Sequence, residues 1–193
     1  MKTTALFLFM FIMMNSTTDQ RPAEFKKAKV SYSDFETLVK KVKKHRKNRL
    51  ISCAEFVKKS QMDGVVILDT RSKQMYDRKH IKGAIHLNFS DFTQDNLAEL
   101  IPDENTTILI YCNNNFSGDE INFASKVALP KSKQKQIEKE KKRAITLALN
   151  IPTYINLYGY GYQNVYELAE LISIYDQRIT YEGSTIQQKT VNN

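Results

Sequence analysis

Only two of the 193 residues are cysteine, Cys53 and Cys112, and only three are histidine. Two thiols make at most one bridge, so a scaffold built on disulfides is excluded. His45 and His86 have no cysteine or carboxylate at ligand spacing, so no metal site is supported, and no cofactor is expected. No internal repeat is visible. The one long apolar run, Ala5 to Met14, is too short for the ~20 helical residues that span a bilayer. The basic stretches are not interleaved with aromatics as in a single-strand binder, so no nucleic-acid partner is expected.

What is present begins with a leader-like start. Met1 and Lys2 precede the apolar run, and polar Asn15, Ser16, Thr17 and Thr18 follow it. That order is the layout of a cleaved signal peptide, with the mature end between Asn15 and Arg21, and it implies export to a periplasmic or secreted location. Neither a small-x-small cleavage site nor a lipid-accepting cysteine marks the position. The formal charge of +8 is concentrated from Lys26 to Arg49 and again from Lys131 to Arg143. Such patches are mostly solvated helix faces, although the first one offers a surface to an acidic protein or an anionic membrane.

Between Tyr32 and Asn48, Phe35, Leu38, Val39 and Val42 recur at helical spacing, which predicts an amphipathic helix. A short extended step at Arg49–Ser52 and a helix over Ala54–Gln61 follow. Val65–Leu68 is a continuous apolar run ending at Asp69, as in a strand buried on both faces of a parallel sheet. Thr107–Tyr111 and Thr153–Leu157 repeat that pattern, and Ala84–Leu87 is a shorter strand. Helices are expected at 92–101, 121–127, 136–149 and 165–174. Strands alternating with helices predict an α/β fold: a mostly parallel central sheet flanked by helices on both faces.

Ligands of such a sheet gather beyond the carboxyl ends of its strands. Three ends are chemically suggestive: Asp69 and Arg71; Cys112 with the loop Asn113, Asn114, Asn115, Phe116, Ser117 and Gly118; and Gly159, Tyr160 and Gly161 after the last expected strand. Ser117 and Glu120 have capping-box spacing, so a helix is expected to begin there and to aim its free amides at Cys112. Amides and a positive helix end stabilise a thiolate and make it a nucleophile, an effect that Asp119 and Glu120 would oppose. Read from residue types alone, Cys112 is equally a small hydrophobe finishing a strand. Cys53, at the start of a helix, reads as packing, and the two thiols are expected to remain separate.

Tyr76-Asp-Arg-Lys-His80-Ile-Lys-Gly-Ala84 resembles the rhodanese signature of an aromatic, three residues, then His-Ile-Pro-Gly-Ala, with Lys82 in place of the proline. Leu68-Asp69-Thr70-Arg71 is similar to the Asp-x-Arg that opens that family, and Ile110-Tyr111-Cys112 to the strand entering its catalytic cysteine. The resemblance implies a sulfurtransferase with Cys112 as nucleophile and a persulfide intermediate. It implies a thiosulfate or persulfide donor and a thiol acceptor as small partners. Standing at strand ends, Asp69, Arg71, Gly159, Tyr160 and Gly161 are expected to support the pocket. His80 would order the turn before a strand. The loop departs from the family pattern by having three asparagines and no cation, which leaves the donor open. Related phosphatases need an arginine six places after the cysteine, where Gly118 stands, so phosphatase activity is not expected. The alternative is a non-catalytic binding module on the same fold. The chain thus divides into a leader at 1–20, a basic amphipathic helical extension at 21–49, a rhodanese-like domain at 50–176 with a charged insertion at about 131–143, and a polar tail at 177–193.

Overall fold

The computed structural model describes residues 26–128 and 145–186. The leader and the charged insertion therefore lie outside the described residues. The described residues from Tyr32 onward form one compact unit.

In chain order the unit runs α1 (Tyr32–Arg46), β1 (Leu50–Ile51), α2 (Cys53–Ser60), β2 (Val65–Asp69), α3 (Lys73–Arg78), β3 (His80–Ile81), β4 (Ile85–His86), α4 (Gln94–Leu100) and β5 (Thr107–Ile110). Then come β6 (Phe116–Ser117), β7 (Val127–Ala128), β8 (Ile145–Thr146), α5 (Asn150–Gly159), β9 (Val165–Leu168), β10 (Ile172–Ser173) and β11 (Tyr181–Glu182). The central sheet has the order β1-β9-β5-β2-β4, with every pairing parallel.

Alternation along the strands divides the core in two. Leu109 and Tyr111 of the β5 segment face one cluster with Ile67, Phe56 of α2, Phe116 and Phe123. Ile108 and Ile110 face the other with Leu68, Val42 of α1, Leu97 of α4 and Leu157 of α5. Burial of both faces explains why β2 and β5 read as unbroken apolar runs. Ser52 caps α2 by accepting the Glu55 N–H at 3.2 Å, and Ser72 accepts the Met75 N–H at the start of α3.

Four expectations are corrected. Residues 153–157 are not a strand; they belong to α5. Their β-branched and aromatic side chains imitate a strand, but Pro152 in the first turn suits a helix start, where no main-chain donor is needed. Residues 165–174 are not a helix; they form β9 and β10, with β9 pairing both β1 and β5. Residues 121–127 do not form a helix: they turn and then enter β7, which pairs antiparallel with β8. Of the helix expected at 136–149, Ile145–Thr146 is instead strand β8, and residues 136–144 lie outside the described residues.

The flanking stretches are also less separate than the sequence suggests. α1 contributes buried Val42 to the core on the α5 side of the sheet. Part of the polar tail pairs with the fold, since β11 lies antiparallel to β3 and Ile179 is buried.

Candidate active site

Cys112 lies two residues past β5, at the carboxyl edge of the middle strand, and is 1% exposed. Its sulfur accepts the Leu149 N–H at 3.2 Å. Leu149 immediately precedes α5, and its carbonyl accepts the Thr153 N–H, the first bond of that helix. The helix terminus facing the thiol is therefore that of α5.

The expected capping box at Ser117 and Glu120 does not form. Ser117 Oγ lies 3.5 Å from the Ile172 carbonyl, a weak contact between β6 and β10. Asp119 caps the following turn instead, accepting the Asn122 N–H at 3.2 Å, while Glu120 is exposed. A shorter acidic side chain two places after Ser117 competes better for those donors.

The three asparagines are ties rather than free polar groups. The Asn115 side chain accepts the Cys112 N–H at 2.9 Å and donates to the Leu168 carbonyl at 2.7 Å, fixing the loop to the end of β9. Asn114 bonds both main-chain groups of Lys126, and Asn113 Oδ1 accepts from Arg71 Nη1 at 3.4 Å. Phe116 packs its ring on Phe123, and Gly118 turns the chain with φ +90°.

Asp69 and Arg71 form a buried pair beneath this loop. Arg71 Nη2 donates to Asp69 Oδ2 at 2.6 Å and to the Lys79 carbonyl at 2.7 Å, and Nη1 reaches the Asn122 carbonyl at 3.1 Å. Its guanidinium lies 4.6 Å from the centre of the Phe123 ring. Burial works against the arginine charge, but the hydrogen bonds and charge of Asp69 outweigh it and raise the pKa. Tyr111 donates its hydroxyl to Asp69 at 2.5 Å, and burial beside that carboxylate pushes the phenol well up. Arg71 is thus a brace joining β2, α3, the asparagine loop and the turn after it. His80 orders its own turn, with Nδ1 at 2.6 Å from the Tyr76 carbonyl and its ring stacked on Tyr76.

Gly159, Tyr160 and Gly161 stand elsewhere. They finish α5, Tyr160 donates to the Phe92 carbonyl at 3.1 Å, and the chain then passes to Asn164, whose carbonyl accepts the N–H of Ile108 near the start of β5. That is the opposite end of the strand from Cys112. Gly161 is required there: its φ is +101°, and a Cβ would lie 2.8 Å from Glu104 Oε2.

Two clefts flank the Leu149 segment. One, of about 240 Å³, is bounded by Arg71, Ser72, Met75, Asn113, Ile121 and Leu149. The other, of about 470 Å³, is bounded by Arg46, Asn114, Asn115, Asn150 and Glu167. The sequence reading missed Arg46, Leu149, Asn150 and Glu167. The one available signal was Glu167 itself, a carboxylate inside the apolar run Val165–Leu168, which needs a buried cation. Cys53 is a free, buried thiol at the start of α2, and burial raises its pKa.

A family model described as rhodanese-like domain matches residues 52–170. No curated protein matches the chain. Among solved structures, the chain is similar to a rhodanese with anions from E. coli, at 18% identity over 62% of this chain and 99% of that one, with a TM-score of 0.36. It is also similar to the Alr3790 protein from Anabaena sp., at 20% identity over 61% and 68% with a TM-score of 0.35. The BH2092 protein from Bacillus halodurans matches at 16% identity over 70% and 74%, with a TM-score of 0.34.

Proposed function

The chain belongs to the rhodanese-like domain family, and on that premise we propose that it is a sulfurtransferase-like enzyme carrying sulfur on Cys112. The observation that supports the reading most is the Leu149 N–H, 3.2 Å from the Cys112 sulfur at the start of α5. A main-chain donor at a helix terminus favours the anionic form of a sulfur, whether thiolate or persulfide.

In the first step the Cys112 thiolate attacks the outer sulfur of a donor R–S–S⁻. A new sulfur–sulfur bond forms, the donor's bond breaks, and R–S⁻ leaves with the electron pair. In the second step a thiolate acceptor attacks the outer sulfur of the Cys112 persulfide and releases the Cys112 thiolate. Thiosulfate fits the same scheme, with sulfite as the leaving group.

Arg71 does not contact the donor in this reading. Its donors are engaged by Asp69, Lys79, Asn122 and Asn113, so it holds the loop while Cys112 reacts. The test is mass spectrometry of the full chain after donor treatment. The Cys112 peptide should gain about 32 Da, one sulfur, and lose it on addition of a thiol. A protein that binds donor or acceptor equally well as Cys112→Ser, with no mass gain in the unsubstituted chain, would be a binding module instead.

Export is part of the proposal and rests on the order of residues 1–20. Mass spectrometry of the mature N-terminus should find residue one between Asn15 and Arg21, and intact Met1 on the cell's soluble protein would reject it. The lysines of α1, Lys40, Lys41, Lys43 and Lys44, are exposed and suit an acidic protein or anionic lipid surface.

A further inference from the structure

Helix α1 lies outside residues 52–170, the stretch that defines the family, yet its last residue reaches the neighbourhood of the thiol. We propose that Arg46 and Glu167 are positioning residues that hold Asn150, and through it the Leu149 N–H, on the Cys112 sulfur. The proposal rests on the reading of Cys112 as a nucleophile and extends it to the helix that precedes the domain.

Arg46 pairs with the Glu167 carboxylate through both Nε and Nη2, the latter at 2.6 Å. Glu167 is 2% exposed within β9. Its Oε1 also accepts from Asn150 Nδ2 at 2.5 Å. An ionised carboxylate has no proton to give, so the Asn150 amide must turn its nitrogen toward Glu167, and the side chain has one allowed orientation. Asn150 is the first residue of α5 and is bonded directly to Leu149. Guanidinium, carboxylate, amide and main-chain donor therefore run in unbroken contact from α1 to the thiol.

Charge matters as much as position. A buried carboxylate tied to the start of α5 and left without a cation would oppose a sulfur anion there, and the two-point contact with Arg46 offsets it. Burial works against the Arg46 charge, but the hydrogen bonds and charge of Glu167 outweigh it and raise its pKa. The other ionisable groups packed here are His45, Arg49, Tyr154 and Tyr166. His45 and Tyr154 bond each other at 2.9 Å, Tyr154 also donates to the Val165 carbonyl, and Arg49 lies over the Tyr166 ring.

A buried ion pair can also be purely structural, so the test must separate the two roles. The measurement is alkylation of the full chain by iodoacetamide from about pH 6 to about pH 9, resolved by peptide, with Cys53 labelling as the internal report of global opening. Arg46→Met should slow Cys112 about tenfold at neutral pH, the size expected for losing a hydrogen bond to a charged group, and move its rate profile to higher pH. Arg46→Lys should recover part of the rate. The double variant Arg46→Met with Glu167→Met removes the buried charge, and Cys112 should stay slow in it. Asn150→Ala leaves the ion pair intact and should slow Cys112 without any change at Cys53. An unchanged Cys112 rate in Asn150→Ala, or a wild-type rate and pH profile in the double variant, would overturn the proposal. Alkylation needs no sulfur donor, so failure of sulfur transfer and failure of this positioning chain are told apart.

Discussion

Cys53 and Cys112 are equally buried, at 0% and 1% exposure, and each sits beside the start of a helix. Their neighbours differ. Around Cys53, burial raises the pKa; Arg178 opposes that, and Asp176 and Glu170 add to it. Around Cys112, the Leu149 N–H points at the sulfur, and the two buried carboxylates among the described residues are each engaged by an arginine, Asp69 by Arg71 and Glu167 by Arg46. Burial and a nearby helix do not by themselves separate the two thiols. On the proposed reading, the partners of the surrounding charges do.

The largest effect expected from this contrast is on transfer itself. Cys112→Ser should abolish sulfur transfer, and Cys53→Ser should leave the Cys112 persulfide intact, as read by the mass of each peptide after donor treatment. Transfer that survives Cys112→Ser would break the comparison at once.

Next comes the brace under the loop. Arg71→Met leaves Asp69 buried and uncompensated and should destabilise the fold by about 3–5 kcal/mol, read as a lowered midpoint in denaturant. A matched replacement of both Asp69 and Arg71 by apolar residues should recover much of that stability but not the Cys112 reactivity, because Asn113 and the Asn122 turn lose their common partner.

A smaller, pH-dependent effect is expected at Asp119. Burial works to raise its pKa, but hydrogen bonds from Asn122 and Lys79 outweigh it, so the carboxyl is held below the usual range. A group whose folded value is depressed adds stability above its ordinary value, near ~3.9 for aspartate, and that stability is lost as the pH falls through the folded value. Asp119→Asn should therefore cost about 1 kcal/mol at neutral pH, with the difference from wild type closing in strong acid. Thermal unfolding at several pH values would show a constant difference if the charge of Asp119 were irrelevant.

The smallest effect is a near absence. Ser117→Ala should change Cys112 labelling by less than about twofold, because Ser117 makes only a 3.5 Å contact with the Ile172 carbonyl and caps no helix toward the thiol. A tenfold slowing would restore the local capping box read from the sequence.

That last contrast shows where the sequence was legible and where it was not. β2 and β5 were readable because both faces of each are buried, which leaves an apolar run without alternation. Cys112 and the Asp69–Arg71 brace were readable because they stand at the carboxyl ends of those strands. The helix that serves Cys112 was not, because α5 begins 38 residues after Cys112, beyond β6, β7, the charged insertion and β8. Asp119 also took the local donors that Ser117 seemed placed to receive. The strand-like composition of Thr153–Leu157 then exchanged α5 and β9, and with that exchange Gly159, Tyr160 and Gly161 were assigned to the wrong end of the sheet. Arg46 was hidden among ten basic residues, since its distinction is a partner 121 residues away.

The most direct test of the account is peptide-resolved competition between the two thiols of the folded full chain for a limiting amount of alkylating agent at neutral pH. Partners rather than burial set reactivity in this account, so Cys112 should be labelled at least about tenfold faster than Cys53, and the preference should vanish in denaturant, where free cysteines share a value near ~8.5. Equal labelling of the two thiols in the folded protein would contradict it.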